Sequence, residues 1–206
     1  LMYPKGLKRL MDIIIAAGLI ILSSPLWLVI AVLIKATSPG EIIFRQKRLG
    51  QSGKIFYLLK FRTMVSGAEK MGSGMYLEEN DPRITPLGKF LRRTSLDELP
   101  QLINVLKGEM SMVGPRPAPL HHLARYNERQ RKRLDMKPGI TGWAQIKGRN
   151  EIFWPERIEY DLWYLRHQSL LLDIFIIFYT LLMVFFREGI QGNPERREKD
   201  PFNQGF

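Results

Sequence analysis

Residues 10–34, LMDIIIAAGLIILSSPLWLVIAVLI, form an apolar run broken near its middle by Ser23-Ser24-Pro25. A bilayer-crossing helix needs roughly 20 apolar residues, so this run is long enough to cross. It is too long for a secretory leader, and no Ala-x-Ala-like cleavage site follows it. A proline at this depth removes one rung of the helical ladder, and neighbouring serines can rebond the freed carbonyls. Basic residues flank both ends: Lys5, Lys8 and Arg9 before the run, and Lys35, Arg45, Lys47 and Arg48 after it. If both flanks keep to the cytoplasmic side, the helix turns back at Pro25 as a re-entrant hairpin. A kinked helix that spans the bilayer, with the following body in the cytoplasm, satisfies the same residues. The residues alone leave both open.

A second apolar run, LLLDIFIIFYTLLMVFF at 170–186, is interrupted by Asp173 and ended by Arg187-Glu188. Its length is marginal for a span. Trp154, Tyr160, Trp163 and Tyr164 precede it, residues suited to the headgroup level. The expectation is an amphipathic helix lying in the interface or packed beside the first run, with a second span as the alternative.

The chain has 206 residues, 31 Lys and Arg against 20 Asp and Glu, a net charge of +11 and no cysteine. Disulfides and thiolate metal sites are thereby excluded. The positive excess calls for a polyanionic partner, whether nucleic acid, anionic lipid or a phosphorylated substrate. The pattern predicts an α+β chain, mostly helical, in three parts. Residues 1–36 anchor it to a membrane, 37–188 form the body including the interfacial helix at 170–186, and 189–206 are a polar tail.

Within the body, 41–45 and 55–60 read as strands joined by the turn Leu49-Gly50-Gln51-Ser52-Gly53, a small β-hairpin. Residues 67–80 read as a surface loop. Thr85 is placed to cap a helix that starts at Pro86 and ends near Arg93. Prolines in Met112-Val113-Gly114-Pro115-Arg116-Pro117 argue against regular structure there. Residues 118–134 carry apolar positions at helical spacing and a strongly basic polar face. Residues 137–142 read as a loop, and helix resumes at 156–167.

Arg92-Arg93-Thr94-Ser95-Leu96-Asp97-Glu98-Leu99-Pro100-Gln101 holds the chemistry. Carboxylates can bind Mg2+ or attack phosphorus, and arginines hold phosphate oxygens. If Asp97 is an N-cap, Pro100 falls inside the first turn, where its missing N–H does no harm. The helix then runs to Lys107 and stops at Gly108. On that reading alone the two acids are simply capping and dipole-matching residues.

Six strings together raise the stakes: Phe44-x-Gln46-x-Arg48-x-Gly50, Lys60-Phe61-Arg62-Thr63-Met64, Thr94-Ser95-Leu96-Asp97-Glu98-Leu99-Pro100-Gln101, Asn104-Val105-Leu106-Lys107-Gly108-Glu109-Met110-Ser111, Val113-Gly114-Pro115-Arg116-Pro117 and Pro138-Gly139-Ile140-Thr141-Gly142-Trp143-Ala144-Gln145. Their order over roughly residues 5–187 resembles the monotopic bacterial phosphoglycosyl transferases, the bacterial sugar transferase family. That resemblance implies a UDP-sugar donor, a polyprenyl (undecaprenyl) phosphate acceptor, and release of UMP at the cytoplasmic face of the inner membrane. It also implies a re-entrant helix broken at Ser24-Pro25.

Mainly on the same ground, Asp97 is the expected nucleophile that forms an aspartyl-phosphosugar intermediate, with Mg2+ held by Glu98 and Asp97. The alternative keeps both acids as metal ligands and lets the lipid phosphate attack directly. Arg92, Arg116 and Arg149 are candidate substrate contacts because guanidinium grips phosphate bidentately, and Lys60 and Arg62 because they alternate with apolar neighbours on a strand and could face substrate. His121, His122 and His167 have no partners at metal-binding spacing and read as helix-surface residues. Asp161 and Asp173 stand out, because Asp173 interrupts an apolar run where charge is costly; it calls for an arginine partner or a capping role. Two further readings compete: a membrane-anchored module whose basic helix at 118–134 binds nucleic acid or acidic lipid, and a membrane phosphatase that uses water as acceptor. The expected partners are the two substrates and an anionic membrane, without nucleic acid.

Overall fold

The computed structural model describes residues 4–68, 71, 81–148, 152–186 and 200–202. Helix α1, Lys5–Thr37, runs as one helix through Pro25. Proline at position 25 cannot donate to the carbonyl of Ile21, and the Ser24 hydroxyl takes over that acceptor at 2.9 Å. Ser23 donates to Leu19 O at 2.5 Å and accepts from Trp27 Nε1 at 2.9 Å. The freed carbonyl is thus satisfied inside the helix by its own serine.

Both halves of α1 pack on the same body. In the first half, Arg9 donates to the carbonyls of Val105 and Leu106 at 2.6 and 2.8 Å. Asp12, fully buried, accepts from Ser111 Oγ and Met112 N at 3.0 and 2.9 Å. In the second half, Trp27 meets Phe61 edge-on at 5.6 Å, and Ile30 and Ile34 enter a core with Phe61 and Leu91. Between these anchor points Ile14, Ile21, Leu22, Leu28 and Val32 are exposed. The helix is long and apolar enough to cross a membrane.

Strands β1 (Ile43–Leu49) and β2 (Ile55–Phe61) pair antiparallel, Leu49 opposite Ile55. The hairpin is as expected, but β1 extends through Leu49, where pairing with β2 outweighs the polar composition of Gln46-Lys47-Arg48. Helix α2, Pro86–Arg93, begins as anticipated, with Thr85 Oγ1 accepting from Gly88 N at 2.9 Å. Such a cap contributes about 1 kcal/mol.

Helix α3 is shorter than expected. It spans Gln101–Lys107 behind Pro100, while Leu96–Glu98 form a separate 3-10 turn. Asp97 is therefore not the cap of a long helix. Ser95 adopts a left-handed conformation with φ 57°, and that reversal isolates the turn from α2. Gly108 ends α3 with φ 83° as anticipated. The side chain of Asn104 ties α3 to β2, donating to Tyr57 O at 2.8 Å and accepting from Leu59 N at 3.0 Å.

Two short strands, β3 (Ser111–Val113) and β4 (Gly139–Thr141), pair in parallel. Both were read as irregular. Neither has a local signal of its own; each is stabilised by a partner remote in sequence. The one basic helix expected at 118–134 is also corrected. The segment is a 3-10 turn at Leu120–Ala124, helix α4 at Glu128–Arg131 and another 3-10 turn at Lys132–Asp135. Asn127 interrupts it with a capping box, the local competition that Asn side chains offer to a continuing helix.

Helices α5 (Trp143–Gly148), α6 (Trp154–His167) and α7 (Leu170–Phe186) complete the body. Helix α7 buries Asp173, Ile176 and Met183 and exposes Leu171, Ile174, Phe178, Leu181 and Phe186. Asp173 is neutralised by Lys8 of α1 at 2.6 Å, with Tyr164 also donating to it. A lysine thus fills the role expected of an arginine. Residues 200–202 return to the body. Asp200 accepts from Trp154 N at 2.7 Å, and Phe202 is buried against His122 and Tyr126. Residues 200–202 are anchored because Phe202 completes an apolar cluster that also contains Leu49, Leu134, Ile158 and Leu162. His122 lies in that cluster, fully buried, and not on a helix surface.

Candidate active site

Three elements bring the charged residues together. The 3-10 turn at Leu96–Glu98 presents Asp97 and Glu98, the end of β2 presents Lys60, and the loop after β3 presents Arg116. Lys60 Nζ lies 2.6 Å from Glu98 Oε1 and 3.8 Å from Asp97 Oδ2. Arg116 donates to the same Glu98 oxygen at 3.3 Å. Arg92, one turn before the dyad on α2, is held by Thr63 Oγ1 at 2.8 Å and exerts its charge on Asp97.

The two acids differ in electrostatics. Burial pushes Asp97 above the ordinary carboxylate range; Lys60 opposes this and the charge of Glu98 reinforces it. Burial acts on Glu98 in the same sense, but the charges and hydrogen bonds of Lys60 and Arg116 outweigh it and bring Glu98 down to about 2. One carboxyl is thus firmly ionised and neutralised by cations. The other is hard to ionise, with Lys60 standing 3.8 Å from it. Neighbouring acids with divergent proton affinities are a recurrent signature of acid, base or nucleophile roles.

Arg116 owes its position to close backbone contacts. A Cβ on Gly139 would lie 2.1 Å from Gly114 N, and one on Gly142 would lie 2.1 Å from Gly114 O. Gly139 N donates to Pro115 O and Gly114 N to Thr141 O, both at 2.9 Å. Arg133 then holds the Arg116 carbonyl at 3.0 Å while it binds Asp161 Oδ2 through two nitrogens at 3.0 and 2.7 Å. Asp161 is thereby neutralised by a buried arginine.

Of the candidate contacts, Lys60, Arg92 and Arg116 gather at the dyad. Arg62 does not. Its guanidinium donates to Ser38 O at 2.7 Å, to Ser38 Oγ at 2.8 Å and to Glu41 O, and so closes the C-terminal end of α1. Arg149 lies outside the described residues. Arg48 and Arg157 were missed as site residues, yet Glu98 acts on the first and Arg116 on both. Arg48 stands in the string Phe44-x-Gln46-x-Arg48-x-Gly50, which could have pointed to it, whereas nothing local in the sequence marks Arg157.

Against known families, residues 3–187 match the model of the bacterial sugar transferases. The chain belongs to the bacterial sugar transferase family. This transferase is 43% identical over 185 residues to EpsL of Bacillus subtilis, described as an uncharacterised sugar transferase, with 90% of each chain covered. It is 47% identical over 192 residues to the UDP-glucose:undecaprenyl-phosphate glucose-1-phosphate transferase of Escherichia coli. There 87% of this chain matches 40% of that protein. It is 40% identical over 198 residues to the undecaprenyl-phosphate galactose phosphotransferase of Salmonella typhimurium, covering 41% of that protein. The chain thus spans nearly all of one such relative and about four tenths of the other two.

Proposed function

We propose that this sugar transferase moves a sugar phosphate from a UDP-sugar to undecaprenyl phosphate at the cytoplasmic face of the inner membrane, releasing UMP. The observation that carries the reading is the pairing of Asp97 with a cation-neutralised Glu98 beside Lys60, Arg92 and Arg116. Relatives that share this chain's sequence are named for that transfer.

The reaction proceeds in two displacements. A carboxylate oxygen of Asp97 attacks the sugar-bearing phosphorus, the bond from that phosphorus to the bridging oxygen breaks, and UMP leaves with the electron pair. An oxygen of the lipid phosphate then attacks the same phosphorus. The bond to Asp97 breaks, the carboxylate is restored, and a polyprenyl diphosphate sugar departs. Lys60 and Arg116 stabilise charge on the transferring group, since fixed cations at developing charge are the main catalytic resource for phosphoryl transfer. Arg92 holds donor phosphate from the α2 side.

The donor set fits Mg2+, a hard cation bound by one or two carboxylates plus substrate phosphates and water. Asp97 and Glu98 would supply the protein oxygens for such an ion, beside Lys60, which lies 2.6 Å from Glu98. When bound, Mg2+ supplies neutralisation of diphosphate charge.

The re-entrant reading of α1 is favoured by its two anchor points. A straight 33-residue helix measures about 50 Å, yet Arg9 and Asp12 near its start and Ile34 near its end hold the same body. A helix crossing a bilayer of about 30 Å carries its ends to opposite faces. The exposed apolar residues of α1 and α7 are the surface offered to lipid.

UMP release from a panel of UDP-sugars, measured with and without polyprenyl phosphate, tests the reading. Formation of a labelled sugar-phosphate adduct on the protein without acceptor, abolished in Asp97→Asn, is the expected result. UMP release only in the presence of acceptor, with no adduct, points to direct attack by the lipid. Hydrolysis indifferent to acceptor points to a phosphatase.

A further inference from the structure

Residues 200–202 close against two aromatic residues that both face one buried arginine. Phe202 is buried, with its ring 5.6 Å from Tyr126 and 5.1 Å from His122, and His122 meets Trp154 edge-on at 4.4 Å. Asp200, also buried, accepts from Trp154 N at 2.7 Å and from Phe202 N at 3.0 Å. Arg125 donates to Pro201 O at 2.9 Å. The short segment is thus tied to the turn before Tyr126 and to the first residue of α6.

The two routes meet at Arg133. Its Nη1 donates to Tyr126 Oη at 2.8 Å, and its guanidinium lies 5.6 Å from the centre of the Tyr126 ring and 5.5 Å from that of Trp154. Its Nη2 donates to the carbonyl of Arg116 at 3.0 Å. That bond matters because the side chain of Arg116 is 36% exposed and meets Glu98 at a long 3.3 Å. An ion pair so open to water fixes geometry weakly. The reach of Arg116 to the dyad is therefore set by its backbone, which Arg133 and the glycine contacts hold. A continuous path of ring contacts and hydrogen bonds runs from Phe202 through Tyr126, Arg133 and Arg116 to Glu98. Removing the Phe202 ring opens a void that its neighbours fill only in part. Tyr126 shifts into it, and the partner of Arg133 moves with it.

We propose that Asp200 and Phe202 are positioning residues for the transfer, a clasp that fixes Tyr126 and Trp154 around Arg133 and thereby holds the backbone of Arg116 beside the Asp97–Glu98 dyad. The consequence for turnover rests on the transferase reading. The hold on the Arg116 backbone does not.

Kinetics on the full chain in detergent, well below the melting temperature of every variant, test the first. In Phe202→Ala, kcat for UMP release falls about tenfold, because a slightly misplaced charge loses much of its effect. KM for the UDP-sugar stays within about twofold, since Arg116 acts on charge that develops in the transition state. Phe202→Leu, which refills most of the volume, recovers part of kcat. Residues that act through one another do not add, so in an Arg116→Gln background Phe202→Ala costs less than about twofold more. A merely structural role gives folded protein with parental kcat, or an equal loss in both backgrounds, and either overturns the clasp. If Phe202→Ala does not fold, Asp200→Asn takes its place in the same cycle.

Amide hydrogen exchange tests the second without substrate. Gly114 N, two residues before Arg116, is bonded to Thr141 O. Its exchange quickens several-fold in Phe202→Ala or Asp200→Asn, while the amides of α7 keep their rates, as expected of a local opening. A parental rate at Gly114 overturns the clasp, whatever the kinetics show. If the parent protein releases no UMP from any UDP-sugar, the transferase reading fails by itself and the exchange rates decide the clasp.

Discussion

Lys60 reaches from the end of β2 to place its ammonium 2.6 Å from Glu98 and 3.8 Å from Asp97, so one cation bridges both acids of the dyad. It lowers the proton affinity of each. Replacing it with methionine removes both a fixed charge from the transferring phosphate and the brake on protonation of Asp97. UMP release falls on the order of a hundredfold, measured at saturating donor.

The pH dependence follows from the same pair. Asp97 attacks only when ionised, and burial raises its proton affinity above the usual value of about 3.9. Adduct formation therefore falls on acidification through a pH above the ordinary carboxylate range. Glu98, at about 2, stays ionised throughout. In Lys60→Met the opposing charge is gone, so the acid limb moves to higher pH. A limb that stays put or moves lower in stopped-flow adduct assays contradicts the role given to Asp97.

Arg133→Met strips Asp161 of its buried partner and releases the carbonyl of Arg116. Leaving a buried charge uncompensated costs about 3–5 kcal/mol, visible as a lower denaturation midpoint. The double replacement Arg133→Met with Asp161→Leu recovers stability but not full turnover, because Arg116 has still lost the bond to its carbonyl.

Gly139→Ala places a methyl group 2.1 Å from a backbone nitrogen of Gly114, which cannot move without shifting Pro115 and Arg116. Turnover drops at least tenfold, since misplacement of a charged group by about 1 Å can cost a hundredfold. Gly18→Ala, whose methyl group meets nothing within 4 Å, serves as the control and keeps parental activity.

Because the chain has no cysteine, its topology can be read cleanly by labelling. Gly6→Cys and Ser38→Cys flank the apolar part of α1. A membrane-impermeant maleimide labels both from the same side of inverted vesicles if α1 re-enters. Labelling of one residue only means that the helix spans.

Much of this protein can be read locally. The apolar runs, the cap at Thr85-Pro86, the hairpin turn and the stop at Gly108 depend on neighbours within a few residues, and composition reports those directly. The adjacency of Asp97 and Glu98 is covalent, so their candidacy needs no fold. Assembly decided the rest. The strands at 111–113 and 139–141 exist because each supplies the other's hydrogen bonds from far along the chain. Arg62 and Lys60 are two residues apart in sequence, yet one closes a helix and the other reaches the dyad. Arg48 and Arg157 come under the charge of Arg116 only in the packed chain. Hydrogen bonding and periodicity act over short stretches of sequence, whereas charge acts through space, so only the packed chain fixes which cations face the carboxylates.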